Sequence, residues 1–173
     1  LVVKENIYII SHKVYLVLII CYFMEIKSVF ENKEKLPVKF TSDGENVSPL
    51  LEISGIPDGA RSLVLINDDP DAQRVIGYTW VHWVRFNIPV NGSEIRIEEG
   101  SSPGVGGFST YKKEEYSGPN PPAGSGIHNY YFKIYAIDTE LDLNVGAEKS
   151  DVEAAMEGHI LDKAEIVGIY NRD

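Results

Sequence analysis

A proline- and glycine-rich segment, residues 118–126 with the sequence GPNPPAGSG, is the stretch that most constrains this chain. Its prolines lack backbone N–H donors and stiffen the segment, and its glycines let the backbone approach a neighbour closely, so it predicts a rigid loop. Residues 130–137, YYFKIYAI, follow almost directly and form an aromatic and β-branched run that is typical of a core strand. His128 stands between the two, so the loop would deliver one polar ring to the edge of a sheet, a common way of building a binding site.

Length and charge restrict the kinds of partner that this chain can have. A chain of 173 residues predicts one domain, and a 43% share of hydrophobic residues is enough for a core. The formal net charge of −10 argues against nucleic acid, which needs a cluster of Lys and Arg, and against general attraction to an anionic membrane. A small anion site is still compatible with this charge, because nearby hydrogen-bond donors can outweigh distant carboxylates.

The first 23 residues differ from the rest of the chain. An apolar run covers residues 14–23 and is preceded by Lys4 and Lys13, the outline of a signal peptide, although no cleavage site of small residues follows it. The run is too short to cross a bilayer about 30 Å thick. Three interpretations stay open: translation from upstream of a true start at Met24, an uncleaved signal or membrane anchor, or a genuine additional element.

We therefore predict a division into the apolar segment 1–23 and a domain of residues 24–173. The one cysteine, Cys21, lies outside that domain, so the fold needs no disulfide and no oxidising compartment. A cytoplasmic location is the expectation, with membrane anchoring or export through residues 1–23 as the alternative. Contact with a membrane is expected only if that segment belongs to the mature protein.

Within the domain, short runs of alternating or continuous apolar residues predict strands separated by turn signals. The predicted strands are residues 36–40, 50–53, 62–66, 77–88, 94–97, 129–138 and 165–170. Ser150 and Glu153 fit a capping box, and the helical spacing of the apolar residues that follow predicts an amphipathic helix over residues 151–162. This number of strands with one late helix predicts a mainly β domain, a sandwich rather than a closed barrel.

Three polar residues are candidates for chemistry. Asp69 opens the sequence DPDA, which is either ordinary turn chemistry or a carboxylate fixed to orient a histidine. Strand alternation places His82 on the same face as Val84 and Phe86, the face expected to point inward, so His82 is either a packed core residue or part of a pocket. His128, at the end of the rigid loop, has the better position for a site at the mouth of the sheet.

The residues alone leave three chemistries open. Two histidines and an aspartate could bind zinc or iron, although no HxH or HxxxH spacing occurs. A Ser–His–Asp hydrolase needs an activated serine, but no GxSxG is present and Ser125 is marked only by its glycine neighbours. An anion pocket would use imidazole, tyrosine hydroxyl and loop backbone donors, and this interpretation accounts for every feature of the loop.

Three blocks, in this order, carry a resemblance to a known family: residues 40–49, then DPDA with WVHW at residues 80–83, then the pattern GPxPPxGxxxHxY over residues 118–130. The chain resembles the phosphatidylethanolamine-binding protein family, also called the Raf kinase inhibitor protein-like family, and in particular its bacterial and archaeal branch. The resemblance covers roughly residues 36–170. It implies a mainly β fold, a β-sandwich of a larger and a smaller sheet with a few peripheral helices.

The resemblance also implies a function. Family members hold phosphate-like anions or phosphoethanolamine in a small cavity at the end of a sheet, and some inhibit kinases or serine proteases through protein contacts. The matching ligand-binding residues here are Asp69, Trp80, His82, Asn120, His128 and Tyr130. No catalytic residue, metal or cofactor is implied, so we expect a binding module that regulates a partner kinase or protease and is not an enzyme. A hydrolase that uses the same histidines and aspartate, with or without a metal, is the alternative.

Three positions depart from the family pattern. Gln73 stands where a proline usually follows DPDA, which predicts a looser turn, and Asn120 stands where the bacterial branch tends to have cysteine, which adds an amide near the pocket. Residues 109–111, STY, stand where that branch has Asn-Asp-Phe, which predicts the loss of an internal hydrogen bond. Both histidines are expected to titrate near the ordinary pKa of about 6.5, so anion affinity should rise as pH falls through that region.

Overall fold

The structure is a computed structural model that describes residues 8–10, 13–15 and 23–173. The strands are β1 (Tyr8–Ile10), β2 (Lys13–Tyr15), β3 (Glu25–Ser28), β4 (Glu34–Lys35), β5 (Leu51–Ser54), β6 (Ser62–Asp69), β7 (Trp80–Pro89), β8 (Glu94–Ile97), β9 (Val105–Gly107), β10 (His128–Ile137) and β11 (Ile160–Tyr170). The α-helices are α1 (Gln73–Ile76) and α2 (Lys149–Met156), and the 3-10 turns are Val38–Phe40 and Pro70–Ala72.

Two sheets build the domain. The larger sheet has six strands in the order β4-β11-β10-β6-β7-β9, and the smaller has three in the order β3-β5-β8. Neighbouring strands are antiparallel except β4 and β11, and β1 pairs with β2 in a separate antiparallel pair. The predicted fold class, a mainly β sandwich of a larger and a smaller sheet with a few peripheral helices, is confirmed.

The larger sheet is buried on both faces. One core cluster lies between the two sheets and joins Leu65 of β6 to Ile53 of β5. The other lies between the larger sheet and α2 and joins Ile66 of β6 to Val152 and Met156 of the helix. Because successive side chains of a strand point to opposite faces, β6 contributes to both clusters, and all eight of its residues are buried. The strand ends that carry the candidate site are therefore held firmly in place.

A buried carboxylate ties α2 to the sheet. Asp68 of β6 is 1% exposed, and its oxygens lie 2.7 Å from Lys133 Nζ and 3.2 Å from Lys149 Nζ. Lys149 also pairs with Glu153 one helical turn later, at 3.1 Å. A buried charge is costly unless it is paired, so this carboxylate fixes the position of both lysines, one on β10 and one on the helix.

The strand predicted at residues 36–40 was wrong. The structure has a short strand before it, β4, and then the 3-10 turn Val38–Phe40. Leu36 and Phe40 are buried, whereas Val38 between them is 47% exposed. The turn buries two apolar side chains four positions apart, and the sequence pattern of this segment resembles strand alternation only because Val38 is also apolar.

The helix predicted over residues 151–162 was placed too late and made too long. It begins at Lys149, and the capping box is formed by Glu148 and Asp151 rather than by Ser150 and Glu153. The backbone of Gly158 has a φ of +83°, a conformation that favours glycine and ends helices, and β11 begins at Ile160.

Most of the N-terminal segment 1–23 lies outside the described residues, so the three interpretations of it stay predictions. Met24, where the domain was predicted to start, is buried, and its backbone N–H donates to Asp162 Oδ2 at 2.9 Å. None of the helices that the structure describes has the length and apolar character that crossing a membrane would require.

Candidate functional site

All the residues predicted to bind a ligand lie on the wall of one cavity of about 130 Å³. They are Asp69, Trp80, His82, Asn120, His128 and Tyr130. The cavity is at one end of the larger sheet, where β6 ends and where β7 and β10 begin. Because β6 is antiparallel to both neighbours, its last residue and their first residues meet at the same edge. Residues from three separated parts of the sequence are thereby brought together.

His82 occupies an irregularity in the pairing of β6 with β7. Trp83 pairs with Asn67 and Val81 pairs with Asp68, so His82 is an extra residue without a partner on β6. An extra residue of this kind is a β-bulge, which re-aims side chains and is frequent beside binding sites.

The face predicted for His82 was wrong because of this bulge. Val84 and Phe86, which strict alternation would place on the same face, belong to the core cluster under α2. The His82 ring instead packs edge-on against Tyr130 of β10, with 5.2 Å between ring centroids, and lines the cavity. Alternation predicts the face of a strand residue only while the ladder is regular.

The hydrogen bonds of His82 fix its tautomer. Its Nδ1 lies 2.6 Å from the carbonyl oxygen of Ser117, which can only accept, so Nδ1 carries the proton and donates it. Burial lowers the pKa of the imidazole to about 4, which corrects the expected value near 6.5. The neutral ring then has a lone pair on Nε2, and this buried atom has no hydrogen-bond partner among the described residues.

Asp69 and His128 form a buried pair. His128 Nδ1 lies 2.6 Å from Asp69 Oδ2, and the other carboxylate oxygen accepts the backbone N–H of Ala72 at 3.2 Å. The second bond caps the 3-10 turn that follows β6, which explains the sequence DPDA at this point. Burial raises the pKa of the Asp69 carboxyl, although the hydrogen bond with His128 opposes that shift.

The contacts of Ser125 show how many protons the Asp69–His128 pair holds. Its hydroxyl donates its single hydrogen to the carbonyl of Pro122 at 2.7 Å, so its 3.0 Å contact with His128 Nε2 requires a proton on the imidazole nitrogen. A second proton lies between His128 Nδ1 and Asp69. The pair therefore carries two protons and no net charge, and it does not repel an anion as an isolated aspartate would.

This arrangement gives no support to the hydrolase alternative. A nucleophilic serine must give its proton to the imidazole, whereas Ser125 accepts a hydrogen bond from His128 and directs its own hydrogen to a carbonyl. The 3.0 Å between Ser125 Oγ and His128 Nε2 is short enough for activation, but the imidazole donates this hydrogen bond and the serine accepts it. Within the part of the chain that the structure describes, no group of three or more His, Cys, Asp or Glu side chains is placed to hold a metal ion.

Tyr130 is the main hydroxyl donor of the cavity. The residue is 1% exposed, and burial raises the pKa of its hydroxyl well above the ordinary value, so the group stays protonated. Its ring lies between the two histidines, 5.2 Å from His82 and 6.4 Å from His128 between centroids. The Tyr130 hydroxyl and the His128 imidazole, both on β10, thus bring hydrogen-bond donors to the wall of the same small cavity.

The Pro/Gly-rich loop is held from behind by the turn of residues 42–46. The backbone N–H of Gly118 donates to Asn46 Oδ1 at 2.8 Å, and Asn46 itself has a φ of +58°, a left-handed conformation that asparagine tolerates. A Cβ on Gly118 would collide with the backbone oxygen of Phe40, so this close approach requires glycine. The block of residues 40–49, which showed no chemistry in the sequence, acts as the support of the loop.

Two further backbone hydrogen bonds fix the loop. Ser42 N–H donates to the carbonyl of Pro119 at 3.0 Å, and Gly124 N–H donates to the carbonyl of Arg172 at 3.1 Å. The Arg172 guanidinium in turn pairs with the carboxylate of Asp43. Neither Ser42 nor Arg172 was singled out from the sequence, since neither carries a local signal for a partner so far along the chain.

Two of the departures from the family pattern have clear structural outcomes. Gln73 starts α1 instead of loosening the turn, and its side-chain amide donates to Thr79 Oγ1 at 3.1 Å. Thr110 pairs with Val81 of β7 through two hydrogen bonds of 2.9 Å. The Thr110 N–H donates to the carbonyl of Val81, and the Val81 N–H donates to Thr110 Oγ1. The third position, Asn120, is exposed at the rim of the cavity.

Apolar residues form the rest of the cavity wall, and the sequence analysis assigned none of them to the site. They are Ala72, Val75, Ile76, Tyr111, Pro121 and Pro122. Tyr111 packs edge-on against Trp80, with ring centroids 4.9 Å apart. The exposed helix α1, which is too short to show a helical pattern, supplies two of them. A polar floor inside apolar walls is the usual construction of a small-molecule site.

Comparison with known proteins agrees with this architecture. The family model described as phosphatidylethanolamine-binding protein matches residues 26–171. A UPF0098 protein of Methanothermobacter thermautotrophicus is 44% identical over 158 residues, which cover 86% of this chain and 99% of that protein.

Solved structures show the same fold. A phosphatidylethanolamine-binding protein homologue from Chlamydia trachomatis has a TM-score of 0.80 and 35% identity, and the match covers 88% of this chain and 99% of that one. Escherichia coli YbcL, described as a new member of the mammalian family, has a TM-score of 0.78 and 25% identity, with 87% and 99% covered. The predicted resemblance, including its bacterial and archaeal branch, is confirmed: the chain belongs to the phosphatidylethanolamine-binding protein family.

Proposed function

We propose that this protein is a binding module for a small anion, a phosphate or a phosphorylated head group, and that the cavity at the end of the larger sheet is its site. The observation that carries the proposal is the convergence of all the predicted ligand-binding residues on one cavity of about 130 Å³. Tyr130 and His128 supply hydrogen-bond donors, and Asn120 lies at the rim. No residue is assigned a catalytic role.

The charge of the site supports an anion even though the formal net charge of the chain is −10. The one carboxylate of the wall, Asp69, is neutralised by its shared protons with His128. Its neighbour Asp71 does not line the cavity and accepts two hydrogen bonds from Asn129, at 2.8 and 2.6 Å. Local donors outweigh remote carboxylates because water and salt screen the latter.

A protein partner, a kinase or a serine protease, is the regulated target in this proposal. Large apolar side chains surround or adjoin the cavity mouth: Val75, Ile76, Tyr78, Tyr111 and Ile127 are between 40 and 55% exposed. Exposed apolar groups around a polar pocket are typical of surfaces that bind other molecules. A cytoplasmic location completes the proposal, because residues 24–173 contain no cysteine and need no oxidising compartment.

Calorimetric titration of the 173-residue chain with inorganic phosphate and with O-phosphoethanolamine tests the anion proposal. Binding is expected in the parent and should be lost in His128→Ala and in His82→Ala, while His159→Ala, which changes an exposed histidine paired with Asp138, should bind as the parent does. Circular dichroism of each variant shows whether the fold is retained. A parent that binds neither compound, or folded cavity variants that bind as tightly as the parent, would contradict the proposal.

The partner proposal has its own test, residual activity of serine proteases and kinases in the presence of the chain. Inhibition should weaken on changing Tyr78→Ser and Tyr111→Ser together, because both exposed rings pack against Trp80 of the cavity wall, Tyr78 stacked and Tyr111 edge-on. The matched control is Val145→Ser, which changes an apolar side chain that is 60% exposed and does not line the cavity. Equal inhibition by both variants would contradict a docking role for the rim.

A further inference from the structure

Asn91 and Gly92 lie in the connection that joins β7 of the larger sheet to β8 of the smaller one. β7 ends at Pro89 and β8 begins at Glu94, and both residues of the connection are exposed. Gly92 has a φ of +120°, a conformation that strains any residue with a side chain. Apart from its chain neighbours, no described atom lies within 4 Å of the position that a Cβ would take. The backbone nitrogen of Gly92 is therefore unusually open to approach.

The groups of Asn91 and Gly92 that could react are not engaged elsewhere. Within residues 23–173, neither the side-chain amide of Asn91 nor the backbone N–H of Gly92 makes a hydrogen bond to another residue. A bond between the Gly92 nitrogen and Asn91 Cγ would close a five-membered ring, and glycine hinders this approach less than any other residue. Asparagine is one of the residues that limit the thermal durability of proteins.

The other asparagines of the domain lack this combination. In most of them the side-chain amide is held by a hydrogen bond, namely in Asn32, Asn46, Asn67, Asn87, Asn129 and Asn171. Asn120 precedes Pro121, which has no N–H. Asn144 is exposed like Asn91, but the β-branched side chain of Val145 follows it and crowds the backbone nitrogen.

We propose that Asn91 is a site of spontaneous covalent modification, deamidation through a cyclic imide formed with Gly92. This inference is independent of the anion-binding function proposed above. The Gly92 nitrogen gives its proton to hydroxide and attacks Asn91 Cγ, so that the N–Cγ bond forms, the Cγ–Nδ2 bond breaks and ammonia leaves with a proton from water. Water then opens the imide at either carbonyl, which gives aspartate, or isoaspartate when the peptide carbonyl of Asn91 is attacked.

Both products change the connection between the sheets. Each adds a carboxylate close to Glu94 in a chain whose formal net charge is already −10. Isoaspartate also routes the backbone through the side chain and lengthens it by one methylene. The flanking residues are anchored, because Val90 packs against the core cluster between the sheets and the Ser93 carbonyl accepts the N–H of Ile56 at 3.0 Å. The isoaspartate form should therefore unfold at a lower urea concentration than the aspartate form.

The experiment is incubation of the 173-residue chain at neutral and at mildly alkaline pH, followed by proteolysis and mass spectrometry of the separated peptides. Modification should accumulate at Asn91, faster at the higher pH because the attacking nitrogen must lose its proton, with release of an equal amount of ammonia. Asn144 is the internal control, since it is also exposed and differs in the residue that follows. It should react at least about tenfold more slowly, the equivalent of about 1.4 kcal/mol in the barrier.

Two further samples complete the test. In Asn91→Gln the ring would be larger and slower to close, so the acidic species that ion-exchange chromatography detects in the incubated parent should be absent. The parent unfolded in urea gives the rate without the fold, and the folded chain should react within about tenfold of it. An Asn91 that is modified in urea but stays intact in the folded chain, or an Asn144 that reacts as fast as Asn91, would overturn the inference.

Discussion

Three aspartates close together in the sequence, Asp68, Asp69 and Asp71, have three different roles. Asp68 points to the face covered by α2 and pairs with two lysines, whereas Asp69 points to the cavity and pairs with His128. Asp71 lies after the end of the strand and accepts hydrogen bonds from Asn129. Strand alternation separates the first two, and the turn separates the third, so the role of each residue follows from its position rather than from its chemistry.

The buried His82 makes the stability of the fold depend on pH. Its pKa is lowered from 6.5 to about 4 by burial, so above pH 6.5 it is neutral in both the folded and the unfolded chain. Between pH 6.5 and 4 the unfolded chain binds a proton that the folded chain excludes, and the free energy of unfolding should decrease by up to about 3 kcal/mol. Urea denaturation at a series of pH values measures this decrease.

The comparison variant is His82→Gln, which has no titrating group at that position. Its free energy of unfolding should change less with acidification over the same pH range. Asp69 contributes with the opposite sign, since its raised pKa favours the folded state at low pH and that contribution is lost as pH rises through the folded value. Parallel pH profiles for the parent and the His82 variant would refute a neutral buried imidazole.

In the proposed function, Ser125 would compete with the bound anion for His128. Its Oγ accepts the Nε2–H of His128 at 3.0 Å, so a bound anion must replace this contact. Ser125→Ala removes the competitor and should raise the affinity for inorganic phosphate by a factor on the order of five, the equivalent of one ordinary hydrogen bond of about 1 kcal/mol. Calorimetry measures the change, and Ser101→Ala, in a loop outside the cavity, is the control. A loss of affinity in Ser125→Ala would show that the hydroxyl itself binds the ligand.

At the scale of elements, the site consists of strand ends and a loop that a neighbouring turn supports. β6, β7 and β10 fix Asp69, Trp80 and His128, and the loop is supported by hydrogen bonds to the turn of residues 42–46. A loop that is ordered before binding loses less conformational entropy when a ligand arrives.

Asn46 is the position where that support can be tested. Asn46→Ala removes the acceptor of the Gly118 N–H and places alanine at a φ of +58°, so the free energy of unfolding should fall by about 2 kcal/mol. Anion affinity should fall as well, because the loop loses its anchor. Asn46→Asp keeps an acceptor and tolerates the same backbone, so it should stay close to the parent in both measurements. Equal losses in the two variants would contradict the supporting role of the side chain.

The sequence analysis predicted those strands whose own residues form a recognisable apolar pattern. β6 and β10 are apolar enough to be recognised in isolation, and residues of the Pro/Gly-rich loop, together with His128 after it, line the candidate cavity. The bulge at His82 and the 3-10 turn Val38–Phe40 were not predicted, because both depend on how a segment meets its neighbours.

The partners of the site residues were also beyond sequence reasoning. Ser117 accepts from His82 across 35 positions of the chain, and Arg172 supports Gly124 from the end of the chain. Ser125 is the exception, since it lies in the predicted loop three residues before His128 and could have been recognised as its neighbour. Its role nevertheless depends on the direction of its hydrogen bond, which no sequence pattern carries.

For the whole molecule, an acidic protein carries a small cavity without net charge at one end of a β-sandwich. The sheets are packed on both sides of the central strands, and the cavity lies where those strands end. Ligand binding to such a preformed site should move the backbone by less than about 1 Å. In the proposed function, the scaffold would hold the binding groups in place rather than close around the ligand.

A crystal structure of the chain grown with inorganic phosphate tests this account most directly. We expect one phosphate in the cavity, with oxygens about 3 Å from the Tyr130 hydroxyl and His128 Nε2, and with the Ser125 contact broken. Phosphate that is absent from the cavity at saturating concentration, or bound only elsewhere on the surface, would contradict the assignment of the site.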